Sequence, residues 1–352
     1  MRVLIIKVSS LGDIIHTLPA VTDAHLAHKN LVFDWVVEEN FLEVPSWHPA
    51  VDKVIPVAIR RWRRNVVKAY FNHEFRAFKR TLQGIHYDLV IDAQGLIKSG
   101  LISRLSRGLT IGLNNHTIRE PLATLFYNKV YSVPRTEHAV SRIRQLFSRA
   151  LKYNYDTRVA DYGIDINRIA GEHPVNEKKQ VVFLHGTTWL TKHWPELYWR
   201  HLAHIATESG YQVLLPWGNL EERRRAEFIG KDNGLVTILD KQTLSGLAQK
   251  INASCGVIAV DTGLGHLAAA LAKPTLSLYG PTNPGLSGTY GAKQLHLNSD
   301  FSCAPCVMKV CGYSGAGVND DFKGQTFAVI PPCFSSHKPE NVWQRFENLL
   351  QE

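Results

Sequence analysis

The chain has 352 residues, 45% of them hydrophobic and 20% charged, with a net charge of +9. That length exceeds one hydrophobic core and predicts two domains of about 150 residues each, while the ordinary apolar share excludes a disordered chain. No stretch approaches the roughly 18 to 20 uninterrupted apolar residues of a membrane span, and no cleavage site follows the first apolar run, so a soluble, cytoplasmic protein is expected.

Val3 to Val8 reads as a β-branched strand that breaks at the polar turn Ser9-Ser10-Leu11-Gly12-Asp13. A helical stripe through Ile14, Leu18 and Val21 follows, with Pro19 tolerable only in a first turn. Strands are predicted at Val32 to Val37, Val51 to Val57 and Asp88 to Asp92, and a helix over Asn65 to Leu82. The polar segment Asp161 to Gln180, with Gly171, Pro174 and the run Glu177, Lys178, Lys179, reads as a linker. Strands then recur at Val181 to His185, Tyr211 to Pro216, Val236 to Leu239, Val257 to Val260 and Thr275 to Tyr279. Between them lie helices that begin at Pro195 and run over Leu244 to Ile251 and Leu264 to Leu271. A last helix, Pro339 to Leu350, carries Val342, Phe346 and Leu349 on one stripe.

Strands alternating with helices imply an α/β fold of two successive doubly wound parallel sheets, each binding ligands at the carboxyl ends of its strands. The expected division is residues 1–170, residues 171–337, and a tail at 338–352 that crosses back to the first domain. Two such domains facing each other would set a donor and an acceptor on opposite walls of one cleft.

Arg60, Arg61, Arg63, Arg64, Lys68, Arg76, Lys79 and Arg80 crowd one region that holds Glu74 as its one acid. A face of this kind suits a polyanion: nucleic acid, anionic lipid or an acidic glycan. No helix-turn-helix signature or aromatic RNA-binding pattern supports the first, and no G-x-G-x-x-G after the first strand supports a nicotinamide enzyme. Cys303, Cys306, Cys311 and Cys333 could close a tetrahedral zinc site, although the second C-x-x-C is missing; packed, reduced thiols are the other reading.

Two loops of the second half suggest phosphate. His185 to Trp194 places Thr187, Thr188 and Lys192 just after a strand, and Val260 to Leu267 brings small residues to a helix amino terminus, where free N–H groups favour a diphosphate. Asp261 could equally be a helix cap and Lys192 a surface charge. No D-x-D triplet occurs, so leaving-group charge would be met without a metal. Asp13 could be a general base or a cap of the helix that follows it. Trp62, Trp189, Trp194 and Trp217 sit in or beside loops where they could wall a ligand or pack in the core.

Taken together, MRVLIIKVSSLGDIIHTLPAVTDA, VIPVAIRRWRR, IDAQGLIKS, REPLATLFYN, TTWLTKHWPE, VDTGLGHLAAAL and YGPTNPGL resemble the lipopolysaccharide heptosyltransferases of glycosyltransferase family 9, the type I members in particular. The resemblance implies the GT-B architecture: two Rossmann-like domains about a cleft, the first binding acceptor and carrying the base, the second binding ADP-heptose. It implies inverting, metal-independent transfer of heptose from ADP-L-glycero-β-D-manno-heptose to a Kdo sugar of Kdo-lipid A, at the cytoplasmic face of a Gram-negative inner membrane, with no cofactor and no nucleic acid. On that basis Asp13 is the base, and Ser10, Gly12, Arg60, Arg61, Arg63, Arg64 and Arg119 meet the acceptor. Thr187, Thr188, Lys192, Glu222, Asp261, Thr262, Gly263 and His266 hold the donor. A sister enzyme that extends an existing heptose is the alternative. Two departures stand out: Gly265 replaces a serine usual in the family, and the stretch Leu297 to Cys333 resembles cysteine-bearing loops of other members.

Overall fold

Val3, Leu4, Ile5 and Ile6 of β1 (Arg2–Ile6) have no exposed surface, as expected of a strand covered on both faces. The computed structural model describes residues 1–64, 73–157, 160–171 and 179–352. In it β1 joins β2 (Val32–Glu38), β3 (Val51–Val57), β4 (His86–Asp92), β5 (Arg107–Leu113) and β6 (Lys129–Tyr131) in one parallel sheet of order β3-β2-β1-β4-β5-β6. A second parallel sheet holds β7 (Gln180–Leu184), β8 (Gln212–Leu215), β9 (Val236–Ile238), β10 (Gly256–Val260), β11 (Thr275–Tyr279) and β12 (Gln294–Asn298), ordered β12-β11-β10-β7-β8-β9.

Counted from its own first strand, each sheet runs 3-2-1-4-5-6, the doubly wound order in which the chain reverses direction between strands 1 and 4. The loops after β1 and β4, and after β7 and β10, therefore flank the two switch points. The chain divides into Met1–Ile169 and Ala170–Glu352. Helix His73–Gln83 covers the first sheet with Phe78 and Leu82, against Leu4, Ile6, Val36 and Val90. Helix Glu196–Glu208 covers the second with Trp199 and Leu202, against Phe183 and Leu215.

Pro19 lies in the first turn of helix Leu18–Ala27, which follows the short helix Leu11–Ile15, so one apolar stripe serves two helices. Helix Pro339–Gln351 belongs to the second unit, where Val342, Trp343 and Phe346 join the core formed with helix Glu196–Glu208 and β11. The strands β5, β6 and β12, and the antiparallel pair β13 (Asn319–Phe322) and β14 (Gln325–Ala328), are additions to the sequence reading. The beginning of the Asn65 to Leu82 helix with Lys68, and Pro174, Glu177 and Lys178 of the linker, lie outside the described residues.

Candidate active site

In the first unit β1 runs out into Lys7 to Ser10 at the switch point. The turn after β4 holds it there: Val8 and Ser9 donate their N–H groups to Gln94 Oε1 at 3.0 and 3.1 Å, and Lys7 Nζ donates to the Ala93 carbonyl at 2.9 Å. That turn is itself fixed by Asp92, whose carboxylate accepts the N–H groups of Gln94 and Gly95 and the Tyr127 hydroxyl at 2.6 Å.

Asp13 lies in helix Leu11–Ile15, three residues after the N-cap Ser10, and its Oδ2 accepts both the Ser10 N–H and the Ser10 hydroxyl at 2.8 Å. Its Oδ1 is 3.8 Å from Lys7 Nζ, and the side chain is 40% exposed. Asp13 thus reaches back to the cap with one oxygen and keeps the other for Lys7 and solvent. Desolvation opposes its ionisation, but the Lys7 charge, the Ser10 hydrogen bonds and Arg119 outweigh it and hold the carboxyl below the ordinary carboxylate value. Burial in turn lowers the Lys7 ammonium, against the pull of Asp13 and Asp92. Gly12 is buried within the same helix, while Ser10 is exposed.

Arg60 to Arg64 follow β3, two strands from β1 and so about 10 Å along the carboxyl edge. Arg119 follows β5, two strands to the other side. Arg60, Arg63 and Arg64 are exposed, Arg60 lying over the Phe41 ring. Arg61 is tied to Glu39 at 3.0 Å and to Glu74 at 2.8 Å, and these carboxylates raise its pKa. A cavity of about 440 Å³ lies here, lined by Lys53, Arg61, Trp62, Glu74 and Phe78 among others.

In the second unit the loop after β7 meets the loop after β10. Lys192 Nζ is 2.6 Å from Asp261 Oδ2, the same oxygen accepts the Thr282 hydroxyl at 2.6 Å, and Thr187 donates to the Asp261 carbonyl at 3.0 Å. Thr188 is exposed beside them. Thr262 is the N-cap of helix Gly263–Ala270 and makes no side-chain cap bond, so Gly263 opens the helix with its first N–H groups available. His266 is buried in that helix. At Gly265 a Cβ would meet Ala259 at 3.4 Å and Thr289 at 3.6 Å, ordinary contacts, so a serine would fit. Glu222, after β8, receives the Gly218 N–H at 2.7 Å and lies against Gly186, where a Cβ would come within 2.8 Å of its Cδ. Burial first, and then Arg225, keeps His185 and His193 neutral, with pKa values lowered to about 3 and about 4.

Of the four tryptophans, Trp189 faces the Lys192 ammonium at 4.5 Å. Trp194 is 1% exposed and packs on Tyr198 and Trp199, Trp62 packs on Phe75 and Phe78, and Trp217 is bonded through Nε1 to the Leu239 carbonyl. Among the described residues no group of three or more His, Cys, Asp or Glu is placed to hold a metal. Cys303, Cys306 and Cys311 are exposed, and Cys333 is buried, which pushes its thiol up to about 12.

Residues 75–316 match the sequence profile of glycosyltransferase family 9 (heptosyltransferase). Lipopolysaccharide heptosyltransferase 1 of Pseudomonas aeruginosa is 50% identical, over 99% of this chain and 98% of its own length. The chain belongs to glycosyltransferase family 9. It is a heptosyltransferase of that family, and its two sheets are those of the GT-B fold. The Escherichia coli K12 heptosyltransferase 1 is 47% identical over 84% of this chain and 92% of its own. A solved E. coli heptosyltransferase with ADP superposes with a TM-score of 0.81 at 46% identity, covering 85% of this chain and 93% of that one.

Lys7, Gln94, Asp92 and Thr282 belong to the site but were not singled out in the sequence. Their signal was position: each lies in or beside a loop at the carboxyl end of a strand, and IDAQGLIKS and YGPTNPGL carry three of them.

Proposed function

We propose that this protein transfers L-glycero-D-manno-heptose from ADP-heptose to a Kdo sugar of Kdo-lipid A, with inversion, without a metal, and with Asp13 as general base. The observation that carries the reading is the half-free carboxylate of Asp13 at the first switch point, ionised beside Lys7. Its uncommitted oxygen accepts the proton of the acceptor hydroxyl. The hydroxyl oxygen attacks the anomeric carbon opposite ADP, the bond from that carbon to the phosphate oxygen breaks, and ADP leaves with the electron pair. A single displacement inverts the centre.

The leaving diphosphate takes charge that Lys192, the hydroxyls of Thr187 and Thr188, and the helix amino terminus at Thr262 and Gly263 can meet. Glu222 is suited to the ribose, and Asp261 and His266 to the heptose side. In support, the P. aeruginosa and E. coli relatives bear the name lipopolysaccharide heptosyltransferase 1, and an E. coli heptosyltransferase at 45% identity was solved with ADP-2-deoxy-2-fluoro heptose. Type 2 relatives are 25 to 35% identical only over less than half of the chain, which favours a Kdo acceptor over a heptose one.

Arg60, Arg63, Arg64 and Arg119, with Ser10 and Gly12 beside the base, are offered to the Kdo carboxylates and lipid A phosphates, Arg61 less so because of its two carboxylates. The same basic face would rest on the anionic cytoplasmic face of the inner membrane. Among the described residues no helix is long and apolar enough to cross a membrane.

The deciding experiment follows ADP release from ADP-heptose with Kdo-lipid A, in EDTA, for wild type and Asp13→Asn. Asparagine can keep the bond from Ser10 but cannot take the proton, so a loss of at least about 100-fold is expected in a protein that stays folded at the assay temperature and still binds ADP, its melting temperature lowered only by the loss of the Lys7 pairing. Full activity in the variant would make Asp13 a cap, and loss of wild-type activity in EDTA would end the metal-free reading.

A further inference from the structure

The stretch that carries Cys303, Cys306 and Cys311 is seated on the donor loops of its own unit. The Thr191 hydroxyl, one residue before Lys192, donates to the Met308 carbonyl at 2.5 Å, and the Val307 N–H donates to the Pro281 carbonyl, one residue before Thr282, at 2.8 Å. Lys309 then places its ammonium 5.7 Å from the centre of the Trp189 ring, the ring that also meets the Lys192 ammonium. Val307 adopts φ +55°, a left-handed conformation rare for a β-branched residue, so the chain is bent at the point where it delivers Met308 and Lys309 to the loop.

The charges of this loop set do not balance against a diphosphate without help. Lys192 is already paired with Asp261 at 2.6 Å, so the two together bring no net charge. His185 and His193, with pKa values near 3 and 4, are neutral at physiological pH. Among the described residues no carboxylate is paired with Lys309, which is exposed. Its positive charge is therefore the uncompensated one beside Trp189, and two ammonium groups about one indole attract an anion that bridges them.

We propose that Lys309 is a second cationic contact for the donor's diphosphate, supplied by the cysteine-bearing loop. This rests on the reading of the second unit as the ADP-heptose site. The loop carries the lysine to Trp189 and is held there by its bonds to Thr191 and Pro281, so it is part of the donor site rather than an ornament beside it.

The test is calorimetric titration of ADP, AMP and adenosine into wild type, Lys309→Ala and Lys309→Arg, with melting temperatures alongside. Lys309→Ala is expected to weaken ADP about tenfold and AMP distinctly less, to leave adenosine unchanged, and to melt as wild type does; Lys309→Arg restores ADP binding. ADP affinity within twofold of wild type in Lys309→Ala, or equal losses for all three ligands, overturns the proposal while the donor reading stands. A wild type that does not bind ADP removes the donor reading and this inference with it.

Discussion

The Lys7 ammonium lies 3.8 Å from the Asp13 carboxylate, with its side chain 6% exposed and that of Asp13 40% exposed. One partner is fixed in the protein by the Ala93 carbonyl and the other is open to solvent, so the pair presents a carboxylate that is held ionised at one end and reachable at the other. The arrangement trades basicity for readiness: the carboxylate is charged at every pH at which the cell works.

A pH profile follows from the sign of that shift. Because the folded pKa of Asp13 lies below its unfolded value, the group contributes stability that is present above about pH 4 and is lost as pH falls through the folded value. With Asp13 as base, kcat/KM should stay level from neutral pH down to about 5, its acid limb lying lower. Lys7→Met removes the largest of the influences that favour the ionised form, so the limb should move to higher pH; an unmoved limb would show that the titrating base is another group.

The arginines of the basic face are not equivalent. Arg61 already serves Glu39 and Glu74, whereas Arg63 and Arg64 are exposed. A phosphate or carboxylate on the acceptor must compete with two carboxylates for Arg61. Arg64→Ala should therefore raise the KM for Kdo-lipid A several-fold and flatten its salt dependence, and Arg61→Ala should do less. Equal losses for the two variants would mean that the acceptor displaces Glu39 and Glu74.

The absence of a side chain at Gly186 leaves room for the Glu222 carboxylate. A Cβ there would stand 2.8 Å from the Cδ and 3.0 Å from the Oε1 of Glu222, closer than carbon atoms approach. Gly186→Ala should push Glu222 from its bond with the Gly218 N–H and, with Glu222 on the ribose, weaken ADP about tenfold. Binding of inorganic pyrophosphate, which has no ribose, serves as the control and should be unaltered.

The parallel sheets were legible because strands buried on both faces read as apolar runs, as β1, β7 and β10 do. β5 was not, because Gly108 and Gly112 interrupt it and Arg107 and Leu109 are exposed, and β6 is three residues long. Asp13, Lys192 and Asp261 stand out in the sequence since each is a charge in a strand-to-helix turn. Gln94 and Thr282 do not, for each acts on a loop of the adjacent strand in its own sheet, Gln94 on Val8 and Thr282 on Asp261, and only the sheet order sets those loops side by side. The bond between Thr191 and Met308 and the approach of Lys309 to the Trp189 ring span over a hundred residues, and no local pattern encodes them.

For the last helix an apolar stripe says that it is covered but not by what. Val342, Trp343, Phe346 and Leu349 are all buried in the second unit; Trp343 Nε1 donates to Ser209 at 3.0 Å, and its ring meets Tyr211 edge-on at 5.2 Å. Phe346 and Leu350 close over Gly256, at the start of the central strand β10. The helix thus seals the end of the second sheet away from its ligand-binding edge. Phe346→Ala should cost about 3 to 5 kcal/mol of stability, and removal of residues 339–352 more, while ADP affinity of the protein that remains folded at low temperature is unchanged. A melting temperature unaffected by Phe346→Ala would contradict the packing, and a loss of ADP affinity at full stability would place the helix at the donor site instead.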